Sequence, residues 1–211
     1  MENLDRKRHW DNIYENRQPD EVSWYQPNPT ISLEFLKLSK LPKTASIIDV
    51  GGGESLFVDY LLDAGYKNIT VLDISDTAIR HARQRVGDKA KLVKWIVSDV
   101  VDFEPEEKYD FWHDRGTFHF LTNEDDIQKY IALIRKAVKP KGHVVIGTFS
   151  EIGPQRCSGL EIHQYSEDLM ERQFETYFTK VASRREDHIT PYNTVQNFLF
   201  CCFKKVVSSK L

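Results

Sequence analysis

A run of three glycines constrains this chain more than any other feature: Ile47-Ile48-Asp49-Val50-Gly51-Gly52-Gly53-Glu54-Ser55. The β-branched residues before the glycines read as a buried strand, and Leu56, Phe57, Tyr60 and Leu61 after them recur at helical spacing. The glycines must then make a tight strand-to-helix turn. Lacking a Cβ, they accept positive φ and let a ligand lie directly on the peptide plane. A second apolar run, Ile69-Thr70-Val71-Leu72, ends on Asp73, about 20 residues past the last glycine. At that separation a βαβ unit sets a carboxylate beside a ribose, so turn and acid together predict a nucleoside ligand.

Details of the turn choose among nucleosides. A dinucleotide site needs a third glycine where this chain has Leu56, and it turns a helix N-terminus toward a pyrophosphate. Glu54 would repel a diphosphate and attract a cationic ligand. S-adenosylmethionine carries a ribose, an ammonium and a sulfonium but no phosphate, and therefore suits the turn better than NAD.

The 211 residues suit one domain, and 40% hydrophobic content is sufficient for a sizeable core. A net charge of -3 gives no general attraction to nucleic acid or to an anionic membrane, so neither is an expected partner. No apolar run approaches the roughly 20 residues that span a bilayer, and Met1-Glu2-Asn3-Leu4-Asp5-Arg6 lacks the apolar core of a signal peptide. A cytoplasmic location is expected, with a peroxisomal one if the source is eukaryotic, because Ser209-Lys210-Leu211 matches that address. Cys157, Cys201 and Cys202 make no disulfide framework. Neighbours on a strand point to opposite faces, so Cys201 and Cys202 are expected as one core and one outer residue. No cysteine or histidine spacing suggests a metal site. Oligomeric state is open at this point.

Residues 1–45 should form an N-terminal lid of two helices around an aromatic loop. Trp10, Ile13 and Tyr14 share one face of the first helix. Trp24-Tyr25-Gln26-Pro27-Asn28-Pro29 interrupts helix formation, and Thr30 is the expected cap of a second helix with Ile31, Leu33, Phe35, Leu36 and Leu38. Such aromatics can cover an adenosyl group and surround a sulfonium by cation–π attraction; the plainer alternative is that they only pack on the core. From residue 46 strand and helix alternate. Ser75 caps the next helix, with Ile79 and Ala82 inward, and Leu92–Val97 is a strand followed by Asp99-Val100. Ligands of an open parallel sheet bind beyond its carboxyl ends. Asp99 is placed there for an adenine amino group, with the Val100 backbone for a ring nitrogen; its alternative role is to cap a turn.

Tyr109-Asp110-Phe111-Trp112-His113-Asp114-Arg115-Gly116-Thr117-Phe118-His119-Phe120 carries most of the chemistry. It should deliver His113 and Asp114 to the cleft edge. His113 is a candidate base or donor, Asp114 a group that positions a cation or pairs with Arg115, and His119 either an acceptor-site group or a core histidine. A helix ended by Pro140-Lys141-Gly142, a fifth strand Val144–Phe149 and a long loop Ser150–Gln164 follow. Loops longer than about 12 residues often cover functional sites, so acceptor contacts are expected in it. Cys157 reads there as a loop contact. The chain closes with two strands, 176–189 and 194–205, joined by Thr190-Pro191-Tyr192-Asn193 and expected as an edge hairpin with Phe198, Phe200 and Cys202 on one buried face.

Together these residues resemble the class I S-adenosylmethionine-dependent methyltransferases over nearly the whole chain. Asp49-Val50-Gly51-Gly52-Gly53 looks like the family's first motif, Asp73, followed by Ile74, like its ribose-binding acid, and Asp99 like its adenine-binding acid. The resemblance implies an α/β, Rossmann-like fold with a seven-stranded, mostly parallel sheet, helices on both faces and a reversed last strand, here in a core of 46–211 behind the lid. Trp24-Tyr25-Gln26 and Asp114-Arg115-Gly116-Thr117-Phe118 look like regions of the thiopurine or thiol methyltransferases and of the elongation-factor lysine methyltransferases. No Asn-Pro-Pro-Tyr follows the fourth strand, unlike in amino-directed nucleic-acid and glutamine methyltransferases. The implied cofactor contacts are Trp24, Tyr25, Asp49, Gly51, Gly52, Gly53, Asp73, Ile74, Asp99 and Val100. The implied reaction moves a methyl group to an acceptor, a small molecule first and a protein lysine second, and leaves S-adenosylhomocysteine. A nonenzymatic binding module on the same fold is the alternative from another class.

Overall fold

The computed structural model of the protein describes residues 3–207. In chain order the elements are α1 (Asn3–Asn16), α2 (Thr30–Leu38), β1 (Ser46–Val50), α3 (Phe57–Asp63), β2 (Asn68–Asp73), α4 (Asp76–Val86), β3 (Val93–Val97), β4 (Tyr109–Arg115), α5 (Glu124–Ala137), β5 (Val138–Phe149), β6 (Arg156–Cys157), β7 (Leu160–Glu161), α6 (Glu167–Phe174), β8 (Phe178–Ile189) and β9 (Val195–Lys205). The tripeptide Ser209-Lys210-Leu211 lies outside the described residues.

Seven strands form one sheet in the order β3-β2-β1-β4-β5-β9-β8. The pairings among β1 to β5 are parallel, and β9 runs antiparallel to both β5 and β8, so it alone is reversed. Two apolar clusters cover the two faces. One gathers Trp112, Phe118, Tyr130 and Phe174 under α5 and α6; the other gathers Phe35, Phe57, Phe111 and Phe198 under α2 and α3. A sheet covered on both faces explains why its inner strands are apolar without alternation. Ile47, Ile48 and Val50 of β1 are all essentially inaccessible.

This double cover corrects one expectation about the end of the chain. Cys201 and Cys202 do point to opposite faces, but each face is core and both thiols are fully buried. The expected antiparallel hairpin does close the sheet at one edge, with β8 outermost and β9 between β8 and β5. Elsewhere the differences concern ends. Pro29 takes the cap position and Thr30 begins α2. Helix α5 stops at Ala137, and β5 starts at once, carrying Pro140-Lys141-Gly142 as an irregularity in its pairing with β4. The long loop folds back on itself through the short β6–β7 pair.

The parallel order sets every functional carboxyl end along one edge. From β3 to β5 that edge presents Asp99, Asp73, Gly51, Gly116 and Phe149, with Phe198 of the reversed β9 paired to Phe149, and the N-terminal segment lies across it. No helix among the described residues is long and apolar enough to cross a membrane.

Candidate active site

Two glycines of the turn are dictated by backbone and space. Gly51 has φ of +65°, and a Cβ there would fall 1.9 Å from Thr117 Oγ1. Gly53 has φ of +27°, and its Cβ would fall 2.7 Å from Asp73 Oδ2. Any side chain at either position would displace the groups that border the ligand space. That space is a cavity of about 890 Å³, counted with the open solvent at its mouth.

At the β2–β3 end the cavity is bordered by Asp73, Ile74, Asp99 and Val100, with Val50, Gly51 and Leu72 as walls. Asp73 accepts a hydrogen bond from Ser75 N–H at 2.8 Å through Oδ1. Burial, reinforced by the charges of Asp49 and Asp11, raises its carboxyl to about 7 against the pull of the backbone donors Ser75 and Gly53. Asp99 does cap a turn, through Val101 N–H to Oδ1 at 3.1 Å, and it also lines the cavity. Burial raises its carboxyl as well, opposed by the Val101 N–H and by Arg6, whose Nε sits 3.2 Å from Oδ2.

Across the β4–β5–β9 end the walls are aromatic: Trp10, Trp24, Phe120, Phe149 and Phe198, together with Cys157. Trp10 packs edge-on against Trp24 at 5.8 Å and against Phe120 at 5.0 Å, so the N-terminal aromatics pack on one another and line the cavity at once. Helix α1 is pinned over the edge, because Asp11 accepts from Ser75 Oγ at 2.7 Å and from Thr77 N–H at 3.3 Å. The loop before α2 is held by His188 Nε2 on Ser23 O at 2.7 Å and by Gln26 on Glu186 at 3.0 Å.

The expected acceptor-site groups separate according to the two-residue period of β4. His113 and Asp114 face opposite sides of the sheet and cannot serve one site. Asp114 is fully buried on the α5 side and holds Tyr130 Oη, Thr117 N–H at 2.8 Å and Phe118 N–H at 3.3 Å. It neither reaches the cavity nor pairs with Arg115, which corrects that expectation. Burial first, then offset by Tyr130 and the two backbone donors, places its carboxyl at about 6. His113 is also buried, with Nδ1 on Asp49 Oδ1 and Nε2 on Ser32 Oγ, both at 2.7 Å. It ties α2 to β1 and borders only a second, adjoining space of about 600 Å³. That correction removes it as an acceptor-site base.

His119 is the group of the three that lines the main cavity. It is 1% exposed, and its Nδ1 accepts from Phe149 N–H at 3.2 Å. Burial, with the charge of Arg115 added, lowers its pKa to about 3. It is therefore neutral with its proton on Nε2, and Nε2 has no partner. Arg115, on the same face of β4 as His113, points into both spaces. Among the cofactor candidates, Trp24 and Gly51 border both spaces, whereas Tyr25 and Asp49 border only the second. Gly52 and Gly53 shape the turn without lining the main cavity. Glu54 also borders the second space; one carboxylate oxygen meets His81 Nδ1, and the other is buried without a partner.

Sequence reasoning missed Arg6, Arg115, Phe120, Phe149 and Phe198 as cavity residues. The two-residue period would have found Arg115, since it places that side chain with His113 and not with Asp114. Phe149 ends β5 and pairs with Phe198 of β9, and the strand order needed to bring them together is not written locally.

This sheet order, with a glycine turn after β1 and acids after β2 and β3, is the arrangement that the resemblance to class I, S-adenosylmethionine-dependent methyltransferases implies. Residues 47–142 of the chain match a protein family described as "Methyltransferase domain". More narrowly, the chain is 28% identical over 107 residues to malonyl-[acyl-carrier protein] O-methyltransferase 2 of Ilyobacter polytropus, covering 50% of this chain and 40% of that one. It is 26% identical over 158 residues to human EEF1A lysine methyltransferase 2, covering 68% of this chain and 67% of that one. The fold superposes on the N-methyltransferase NodS of Bradyrhizobium japonicum WM9 in complex with S-adenosyl-L-homocysteine with a TM-score of 0.68 and 18% identity, covering 92% of this chain and 97% of that one. The cofactor of such a domain is S-adenosylmethionine, and the residues present fit it: two buried carboxylates at one end of the cavity, apolar walls, and a turn free of side chains.

Proposed function

We propose that the protein transfers the methyl group of S-adenosylmethionine in line to a small-molecule acceptor. The observation that carries this reading is the division of one cavity into a carboxylate-bearing end at β2 and β3 and an aromatic end at β4, β5 and β9. The cofactor, when bound, supplies an electrophilic methyl on a sulfonium. Asp73 accepts from the ribose hydroxyls and Asp99 from the adenine amino group. Glu54, next to the turn, offers its unpartnered oxygen to the ammonium. Trp10, Trp24 and Phe120 exclude water and face cationic charge with their rings. Fixing acceptor and methyl in one orientation is worth roughly 7–11 kcal/mol of barrier.

Two features favour a second reading, methylation of a protein lysine: the Asp114-Arg115-Gly116-Thr117-Phe118 stretch and the likeness to the EEF1A lysine methyltransferase. Against it, the aromatic end offers a lysine ammonium Arg115 and no carboxylate among the described lining residues. Tritiated S-adenosylmethionine supplied with a metabolite extract and, separately, with a protein lysate distinguishes them. Label in the small-molecule fraction is expected; label confined to protein supports the second reading, and cofactor binding without transfer to either supports a nonenzymatic module. Location and oligomeric state enter neither reading.

A further inference from the structure

We propose that the aromatic end of the cavity receives an acceptor bearing a carboxylate, held by the side-on edge of Arg115. The inference rests on the proposed methyl transfer and names the class of molecule that accepts it. Arg115 spends Nη1 on Trp24 O at 2.9 Å and lies with its guanidinium 4.6 Å from the centre of the Phe198 ring. Its Nε and Nη2 are buried and unpartnered. These two N–H groups lie on one edge of the guanidinium and form the fork that matches the two oxygens of a carboxylate. The nearby acids do not fill it. Glu186 accepts from Gln26, and Asp49 is taken by His113 through Oδ1, with Oδ2 unpartnered. Burial lowers Arg115 to about 10, against the charges of Glu186, Cys157 and Asp49, so it remains a cation at neutral pH.

The surroundings agree with an acceptor that arrives ionised. Neutral His119 adds a third unpartnered donor, Nε2–H, to the same wall of the cavity and has no free lone pair for a proton. Burial pushes the Cys157 thiol up to about 11, and Asp114 lies beneath the other face of the sheet. This end therefore offers donors and no base. Its aromatic walls favour a flat body attached to the carboxylate.

The cofactor's own methionine carboxylate is the other source of the same chemistry, since Arg115 also borders the second space. Sheet order favours the acceptor: Arg115 and His119 stand with Phe149 and Phe198 on the side of Gly51 away from Asp73 and Asp99.

The test is calorimetry on protein saturated with S-adenosylhomocysteine, titrated with benzoate, phenylacetate and 2-naphthoate and with the amines of matching shape. At least one carboxylate is expected to bind tenfold or more tightly than its amine. Arg115→Gln should lose that binding tenfold or more, Arg115→Lys should recover part of it, and both variants should keep the affinity for S-adenosylhomocysteine within about twofold. The proposal is overturned if none of the carboxylates binds, if the amines bind equally well, or if Arg115→Gln leaves carboxylate binding intact. It is also overturned if Arg115→Gln weakens S-adenosylhomocysteine tenfold, which assigns the fork to the cofactor. Failure of the wild-type protein to bind S-adenosylhomocysteine at all refutes the methyltransferase reading itself.

Discussion

At the scale of single residues, Asp73 sets cofactor affinity against stability. Its folded-state pKa of about 7 lies above the value near 3.9 of an unfolded aspartate, so between those values the native protein binds the extra proton. Stability from this group is full below about pH 4 and is lost as pH rises through about 7. Asp73→Asn should therefore stabilise the ligand-free protein at pH 8 by on the order of 1–3 kcal/mol and flatten its melting temperature between pH 5 and 8, followed by thermal-shift measurements. The same variant should bind S-adenosylhomocysteine about 10- to 150-fold more weakly, because charge-assisted hydrogen bonds contribute about 1.5–3 kcal/mol. Asp114 gives the opposite pattern. Asp114→Ala strands Tyr130 Oη and two backbone N–H groups in the core and should cost about 3 kcal/mol of stability while leaving cofactor affinity of the folded fraction unchanged. A loss of affinity larger than the loss of stability would return Asp114 to the site.

At the scale of elements, the N-terminal segment is held to the sheet by polar pins as well as by Phe35 and Leu36 in the core. The buried chain Ser32–His113–Asp49 joins α2 to β4 and β1, and Asp11 joins α1 to the start of α4. His113→Ala breaks the first of these and should speed hydrogen exchange in 22–38 by about tenfold or more while leaving β1–β5 protected, a result that exchange mass spectrometry reads directly. Elements also show where the sequence was legible. The glycine turn, the acids after β2 and β3, the Ser75 cap and the aromatic N-terminal helices were each readable from local pattern, since each is determined within a few residues. The roles of His113 and Asp114 were not, because proximity in sequence places them on opposite faces of β4. Cys201 and Cys202 show the same limit: alternation is local, but the layer that covers the second face comes from α2 and α3, far away in the chain.

At the scale of the whole molecule, the two clusters share the strands of one sheet, and the N-terminal segment closes over its edge. We expect a single cooperative unfolding transition by calorimetry. S-adenosylhomocysteine at 100 times its dissociation constant should add about 2.7 kcal/mol and raise the midpoint by roughly 5–11 °C for a chain of this size. Two transitions, with only one moved by the ligand, would separate the N-terminal segment from the sheet.

All of this depends on which molecule occupies the carboxyl edge. Titration of the purified protein with S-adenosylhomocysteine and, separately, with NAD asks that question with least intervening inference. The expected result is one-to-one heat with the nucleoside thioether, lost in Asp73→Ala, and none with the dinucleotide. Heat from NAD with none from S-adenosylhomocysteine would contradict the account.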